Sequence, residues 1–200
     1  MNMFTRPHRE IQDPPIAKFF FANTKMAWLW LIVRLYLGYE WVTAGWHKMT
    51  PAWLNGGEAL KGFWTSAIAL PANGKPPIAF DWYRSFISSM LDSGAYTWFA
   101  KLIVFGELLI GICLMVGAFV GIAAFFGALL NWNFIMAGAA STNAVLFTLA
   151  ILLMLAWKIA GYYGVDYYLL PLIGTPWHGE VEAKGSSSVP GKGTFAGHVA

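Results

Sequence analysis

Arg34 and Glu40 stand inside the run Met26 to Lys48, MAWLWLIVRLYLGYEWVTAGWHK, which is otherwise almost wholly apolar and closes on His47 and Lys48. Coiled as a helix at about 1.5 Å per residue, such a run covers the roughly 30 Å hydrocarbon core of a bilayer, where an unpaired charge costs a few kcal/mol. Arg34 and Glu40 are about 600° apart around a helix, a net third of a turn, so they point to different sides and do not neutralise each other. Glu40 and His47 are a heptad apart and share a face. A carboxylate and an imidazole on one face at a membrane boundary suit a quinone, whose reduction takes up two protons and whose ring oxygens want hydrogen bonds. Glu107, near the centre of KLIVFGELLIGICLMVG, must be protonated or find a cation, and Arg34 is the expected partner. Asn131 and Asn133 are two apart on a later apolar run, so one faces the site while the other links helices. Lys158 snorkels. The same residues admit a structural reading: an Arg34–Glu107 pair can simply fix helix register, and His47 with Lys48 can mark the interface.

These side chains need elements to position them. The chain has 200 residues, 58% hydrophobic, 17% aromatic and 12% charged, with mean hydropathy +0.54. A soluble domain carries about a quarter charged residues, so the composition points to a polytopic membrane protein of one domain. A net charge of +3 is too small to argue for nucleic acid. Apolar runs predict spans over about 26–48, 97–117, 119–138 and 144–163. The connections GAFVG and AGAASTN are short, which makes consecutive helices antiparallel neighbours. The expected fold is therefore all-α, an integral membrane four-transmembrane-helix bundle with an amphipathic-helix insertion between the first two spans.

That insertion holds two helical patches, about 58–70 and 80–92, separated by the breaker run PANGKPP. In the second, Tyr83, Phe86, Ile87, Met90 and Leu91 recur at the spacing of one helix face. Both patches are read as lying on the membrane surface or capping the bundle, with Trp53 and Trp64 roofing the site. Residues 1–25 form a polar leader without a cleavable signal pattern, and within it PPIAKFFFANTK predicts a short interfacial helix. The membrane domain spans 26–174, and the Gly-, Ser- and Pro-rich residues 175–200 read as a flexible tail. Gly117-x-x-x-Gly121 is read as a tight turn between spans rather than a dimer motif.

Several chemistries lack their motifs. The sequence has no GxGxxG, no P-loop, no CxxCH, and no Cys or His set with iron–sulfur or zinc spacing. His8, His178 and His198 lie in the tails, leaving His47 alone near a span, so no metal or haem is expected in this chain. A redox role would use a diffusible membrane carrier or a partner's cofactor. Arg6, Arg9, Lys18, Lys25, Lys184 and Lys192, set against Lys48, Lys61, Lys75 and Arg84, favour cytoplasmic termini.

The segments RLYLGYEWVTAGWHKM, GELLIGICLMVGAF, ALLNWNFIMAG and AGYYGVDYYL together resemble the DoxX superfamily of small four-helix membrane proteins, and within it the DoxD-like branch. The resemblance covers roughly residues 26 to 170 and makes Arg34, Gly38, Gly45, Lys48, Glu107, Asn131 and Asp166 the characteristic positions. It implies the membrane subunit of a thiosulfate:quinone oxidoreductase in a prokaryotic cytoplasmic membrane, joining two thiosulfates into tetrathionate with a small DoxA-like partner. On that expectation Glu40, His47 and Glu107 are the catalytic residues, Glu40 and His47 carrying protons or hydrogen-bonding the head group while Glu107 pairs with Arg34 to set the field, and Arg34, Lys48, Asn131, Trp53 and Trp64 surround the quinone. Thiosulfate, a dianion, would approach Lys48, Lys61 and Arg84 from the loop side. The competing expectation is a non-catalytic accessory subunit of a larger respiratory or photosynthetic complex. A solute transporter is disfavoured by the lack of an inverted repeat.

Overall fold

A computed structural model describes residues 13–174, and among these every regular element is helical. The leader supplies a short helix, α1 (Pro15–Ala22), with Pro15 at its first turn, where the missing N–H is no loss. The chain then bends by 57° into α2 (Ala27–His47). Asn23 holds the bend by accepting the Lys25 amide on its side chain (2.9 Å), and the Trp30 indole donates to Phe20 O (2.7 Å), tying α1 to α2. After α2 come a single turn, α3 (Pro51–Leu54), and the insertion helices α4 (Glu58–Ile68) and α5 (Asp81–Asp92). Then follow α6 (Tyr96–Val116), α7 (Val120–Met136), α8 (Asn143–Leu155), the short α9 (Trp157–Ala160) and α10 (Asp166–Leu172).

The first three apolar runs, 26–48, 97–117 and 119–138, fold as the helices α2, α6 and α7. The fourth does not continue to Tyr163: it breaks at Ala156, and after α9 the chain turns at Gly161 and returns through α10. The segment after Gly164 is thus helical, with Pro171 near the end of α10. The predicted tail lies outside the described residues.

Two apolar clusters form the interior. The larger joins α2, α6, α7, α8 and α9 through Trp30, Leu37, Trp41, Ile110, Leu114, Ala124, Ala150 and Leu153. The smaller lies beneath α4 and α5, where Leu60, Trp64, Ile78, Tyr83 and Ile87 cover Ala100 and Ile103 of α6. On α5 the expected face turns inward through Tyr83 and Ile87, whereas Phe86 stays exposed. α2 and α6 pack with almost no side chain between them. A Cβ on Gly38 would lie 3.0 Å from Gly111 O, and one on Gly111 would lie 2.6 Å from the Val42 nitrogen, so these small residues set the separation of the pair.

Four polar side chains share this apolar interior while many large apolar ones face outward. Arg34, Glu107, Asn131 and Asp166 are all buried, whereas Leu102, Phe105, Leu109 and Ile112 of α6 and Ile122, Phe125, Phe126 and Leu129 of α7 face outward. Among the described residues α6 alone is, by length and composition, apolar enough to cross a membrane, at 21 residues and a mean hydropathy of 2.3. α1 with Thr24–His47 passes the same test only as a bent pair, and α7 and α8 are apolar but shorter.

Candidate functional site

Charged groups gather at the two ends of the bundle. At the first, the C-terminus of α2 delivers Lys48 and the middle of α6 delivers Glu107. The Lys48 ammonium donates to both carboxylate oxygens, at 2.9 Å to Oε1 and 2.7 Å to Oε2. It also folds back toward Ala44 O (3.5 Å) and lies 5.6 Å from the ring centre of Trp53 and 5.7 Å from that of Phe134. Glu107 is 1% exposed and Lys48 21%, so the carboxylate is sealed in and its cation stands at the opening. Two aromatic faces and a carboxylate give the ammonium more contact than an exposed ion pair provides.

Beside this pair is a cavity of about 180 Å³, walled by Glu40, Trp41 and Ala44 of α2, Asn131 and Phe134 of α7, Thr142, and Asn143 and Leu146 of α8. Two of its wall residues carry buried polar atoms without hydrogen-bond partners: Asn131 at both Nδ2 and Oδ1, and Trp41 at Nε1. Buried polar groups are nearly always satisfied, because an unmet one costs about 1–3 kcal/mol. A cavity next to such groups is therefore suited to something polar. Glu40, half-buried in the wall, has no ion-pair partner among the described residues.

At the opposite end, Arg34 and Asp166 clamp the α6–α7 turn. Arg34 Nη1 donates to Leu114 O (2.9 Å) and Met115 O (3.4 Å), and Nη2 donates to Tyr163 O (3.1 Å). The cation thus takes carbonyls that the end of α6 leaves open, where the helix dipole is negative. Asp166 does the reverse for α7, accepting from the Phe119 amide (2.6 Å) on Oδ1 and the Val120 amide (2.8 Å) on Oδ2. Backbone bonds from Val165 to Val116 O (3.2 Å) and from Asp166 to Gly117 O (2.8 Å) complete the clamp. Gly117 has φ 72°, and a Cβ there would run into the Arg34 guanidinium, so only glycine fits.

This geometry corrects several expectations. Arg34 does not pair with Glu107: fourteen residues before Lys48, about 21 Å along the helix, it serves the α6–α7 turn and stands away from the cavity. His47 is exposed and absent from the cavity wall, so Glu40 and His47 do not form one site there. Trp64 is buried in the α4–α5 cluster and does not roof the cavity; Trp53 touches it only through Lys48. Glu40, Lys48, Glu107 and Asn131 do come together, and Asn133 turns aside to accept the Tyr83 hydroxyl (3.1 Å), joining α5 to α7. Lys48, Lys61 and Arg84 are each in an ion pair, with Glu107, Glu58 and Asp81 respectively, which reduces their pull on a free anion. Burial raises the Tyr83 hydroxyl to about 12.

Trp41, Phe134, Thr142 and Asn143 are wall residues that reading the sequence did not single out. Trp41 was legible in principle, since it follows Glu40 on the one helix already crowded with polar side chains. Among the described residues no group of three or more His, Cys, Asp or Glu could hold a metal ion. A scan against protein-family models and searches of curated proteins and of solved structures each returned no match.

Proposed function

We propose that this chain is the quinone-binding membrane subunit of an electron-transfer complex. In this reading α2, α6, α7 and the broken helix α8–α9 cross the bilayer of a prokaryotic cell as an antiparallel bundle, and the cavity beside Lys48–Glu107 receives the quinone ring. Outward-facing leucine, isoleucine and phenylalanine on α6 and α7, together with buried charges, support the membrane setting. The observation that carries the ligand is that Asn131 and Trp41, two side chains with unmet polar atoms, are lining residues of a cavity of about 180 Å³. An apolar cavity of about 150 Å³ accepts benzene, so this one has room for a single six-membered ring, with polar groups where benzene would have none.

Reduction of a quinone consumes two electrons and two protons and yields the quinol. Glu40, without an ion-pair partner and half-open to the outside, is placed to pass protons inward. The Lys48–Glu107 pair sets the field at the ring. The electrons come from a partner: in the thiosulfate chemistry that the resemblance implies, two thiosulfates give up one electron each and join as tetrathionate. Since the loop cations are occupied by carboxylates, capture of thiosulfate is assigned to the small partner subunit.

The test is thiosulfate-dependent quinol formation by the complex in proteoliposomes. Glu107→Gln is expected to lower turnover more than tenfold, and full turnover in a folded Glu107→Gln protein would refute the assignment. A second reading, an accessory subunit without chemistry, is favoured by the apolar groove of about 510 Å³ between the start of α7 and α10, lined by Phe119, Ile122, Trp157, Leu169 and Ile173. Purification only within a large complex, with no bound quinone, would select it.

A further inference from the structure

Asn131 is 0% exposed, yet neither its amide nitrogen nor its carbonyl oxygen has a hydrogen-bond partner, and no other buried side chain among the described residues leaves both a donor and an acceptor open. Trp41, 3% exposed, adds an open donor on the facing helix. Its Nε1 sits over Gly127, where a Cβ would approach to 3.1 Å, one helical turn before Asn131. Gly127 therefore leaves room for the indole edge against α7.

A donor-only wall would favour an oxidised ring, because a quinone carbonyl only accepts. An acceptor-only wall would favour the reduced ring, whose hydroxyl donates. A carboxamide offers one of each on a single planar group. Resting on the quinone reading above, we infer that Asn131 is the residue that lets this cavity hold the quinone and the quinol with similar affinity. The amide nitrogen donates to the carbonyl of the oxidised ring, and the amide oxygen accepts the hydroxyl of the reduced one. Trp41 donates in both cases, more strongly to the carbonyl. A site of this kind leaves the potential of the bound couple close to that of the free couple, so that electrons pass through the cavity without being trapped in it.

The probe is a decyl-substituted benzoquinone and its dithionite-reduced quinol, each titrated by calorimetry into the full chain in nanodiscs. The wild-type protein is expected to bind the two forms within about threefold of each other. Asn131→Leu is expected to weaken both by tenfold or more with their ratio kept, while the ligand-free protein melts no lower than wild type because an unmet polar group has been removed. Asn131→Ala, which deletes the amide without adding bulk, should show the same paired loss if the leucine does not fold. Trp41→Phe should weaken the quinone about tenfold more than the quinol, raising the bound potential by about 30 mV for this two-electron couple. Unchanged affinities in both Asn131 variants, or loss of only one form, would overturn the role of Asn131 while leaving the quinone site standing. Failure of the folded wild-type protein to bind either form would instead remove the quinone reading itself, and this inference with it.

Discussion

Lys48 and Glu107 form the one ion pair in the described structure with a sealed carboxylate, and removing either partner strands the other. Lys48→Met should destabilise the protein by about 3 kcal/mol, the lower end for a buried pair because Lys48 keeps some contact with water. The double variant Lys48→Met with Glu107→Gln should recover most of that loss, as read by thermal melts in detergent and a double-mutant cycle. Additive losses would mean the two groups do not act as a pair. At the other end, Gly117→Ala places a methyl against the Arg34 guanidinium at a left-handed φ and should cost more than 1 kcal/mol. The buried polar positions within the apolar runs were legible, since lone polar groups there demand partners, and Arg34, Glu107 and Asn131 are all buried; Asp166 was singled out only by the resemblance. Partner choice was not legible. Short loops fix the antiparallel order of α6, α7 and α8 only; across the long insertion the stagger of α6 along α2 depends on how Gly38, Gly45 and Gly111 nest, and that stagger puts Lys48, rather than Arg34, within reach of Glu107.

α5 is held to α7 by the Tyr83 hydroxyl, which reaches Asn133 O and Oδ1 at 3.1 Å each. Because burial keeps this phenol neutral up to about 12 while the unfolded chain ionises near its ordinary value of 10.0, the unfolded state binds fewer protons between those values. Stability should therefore be intact below about pH 10 and decline as pH rises toward 12. Tyr83→Phe should flatten that decline in a pH series of melts, at the expense of the bond to α7. If both proteins follow the same curve, Tyr83 is not the titrating group. The α4 and α5 helices were readable from their amphipathic spacing and the PANGKPP break. The split of the last long helix was not, since nothing in ILLMLAWKIAGYY is a strong breaker before Gly161, and the break at Ala156 answers a tertiary demand: the chain must return to place Asp166 on α7.

For the whole molecule, the bundle assigns loops to opposite ends. In a Cys113→Ala background, cysteines at exposed Ser93 and Ala140 should react with an impermeant maleimide from one side of sealed vesicles, and one at Lys158 from the other. Labelling of all three from one side would refute a membrane-crossing bundle.

The clamp on the α6–α7 turn has a consequence for the order in which a ribosome makes this protein. Arg34 emerges early, yet one of its carbonyl partners, on Tyr163, and the Asp166 that fastens the same turn are among the last described residues to be synthesised. Until then the Arg34 cation on α2 has only the α6 carbonyls of Leu114 and Met115, and the start of α7 lacks its cap. A chain halted after Ala160 would lack the Tyr163 carbonyl and the Asp166 carboxylate together, and the arrival of α10 is the event that closes the turn.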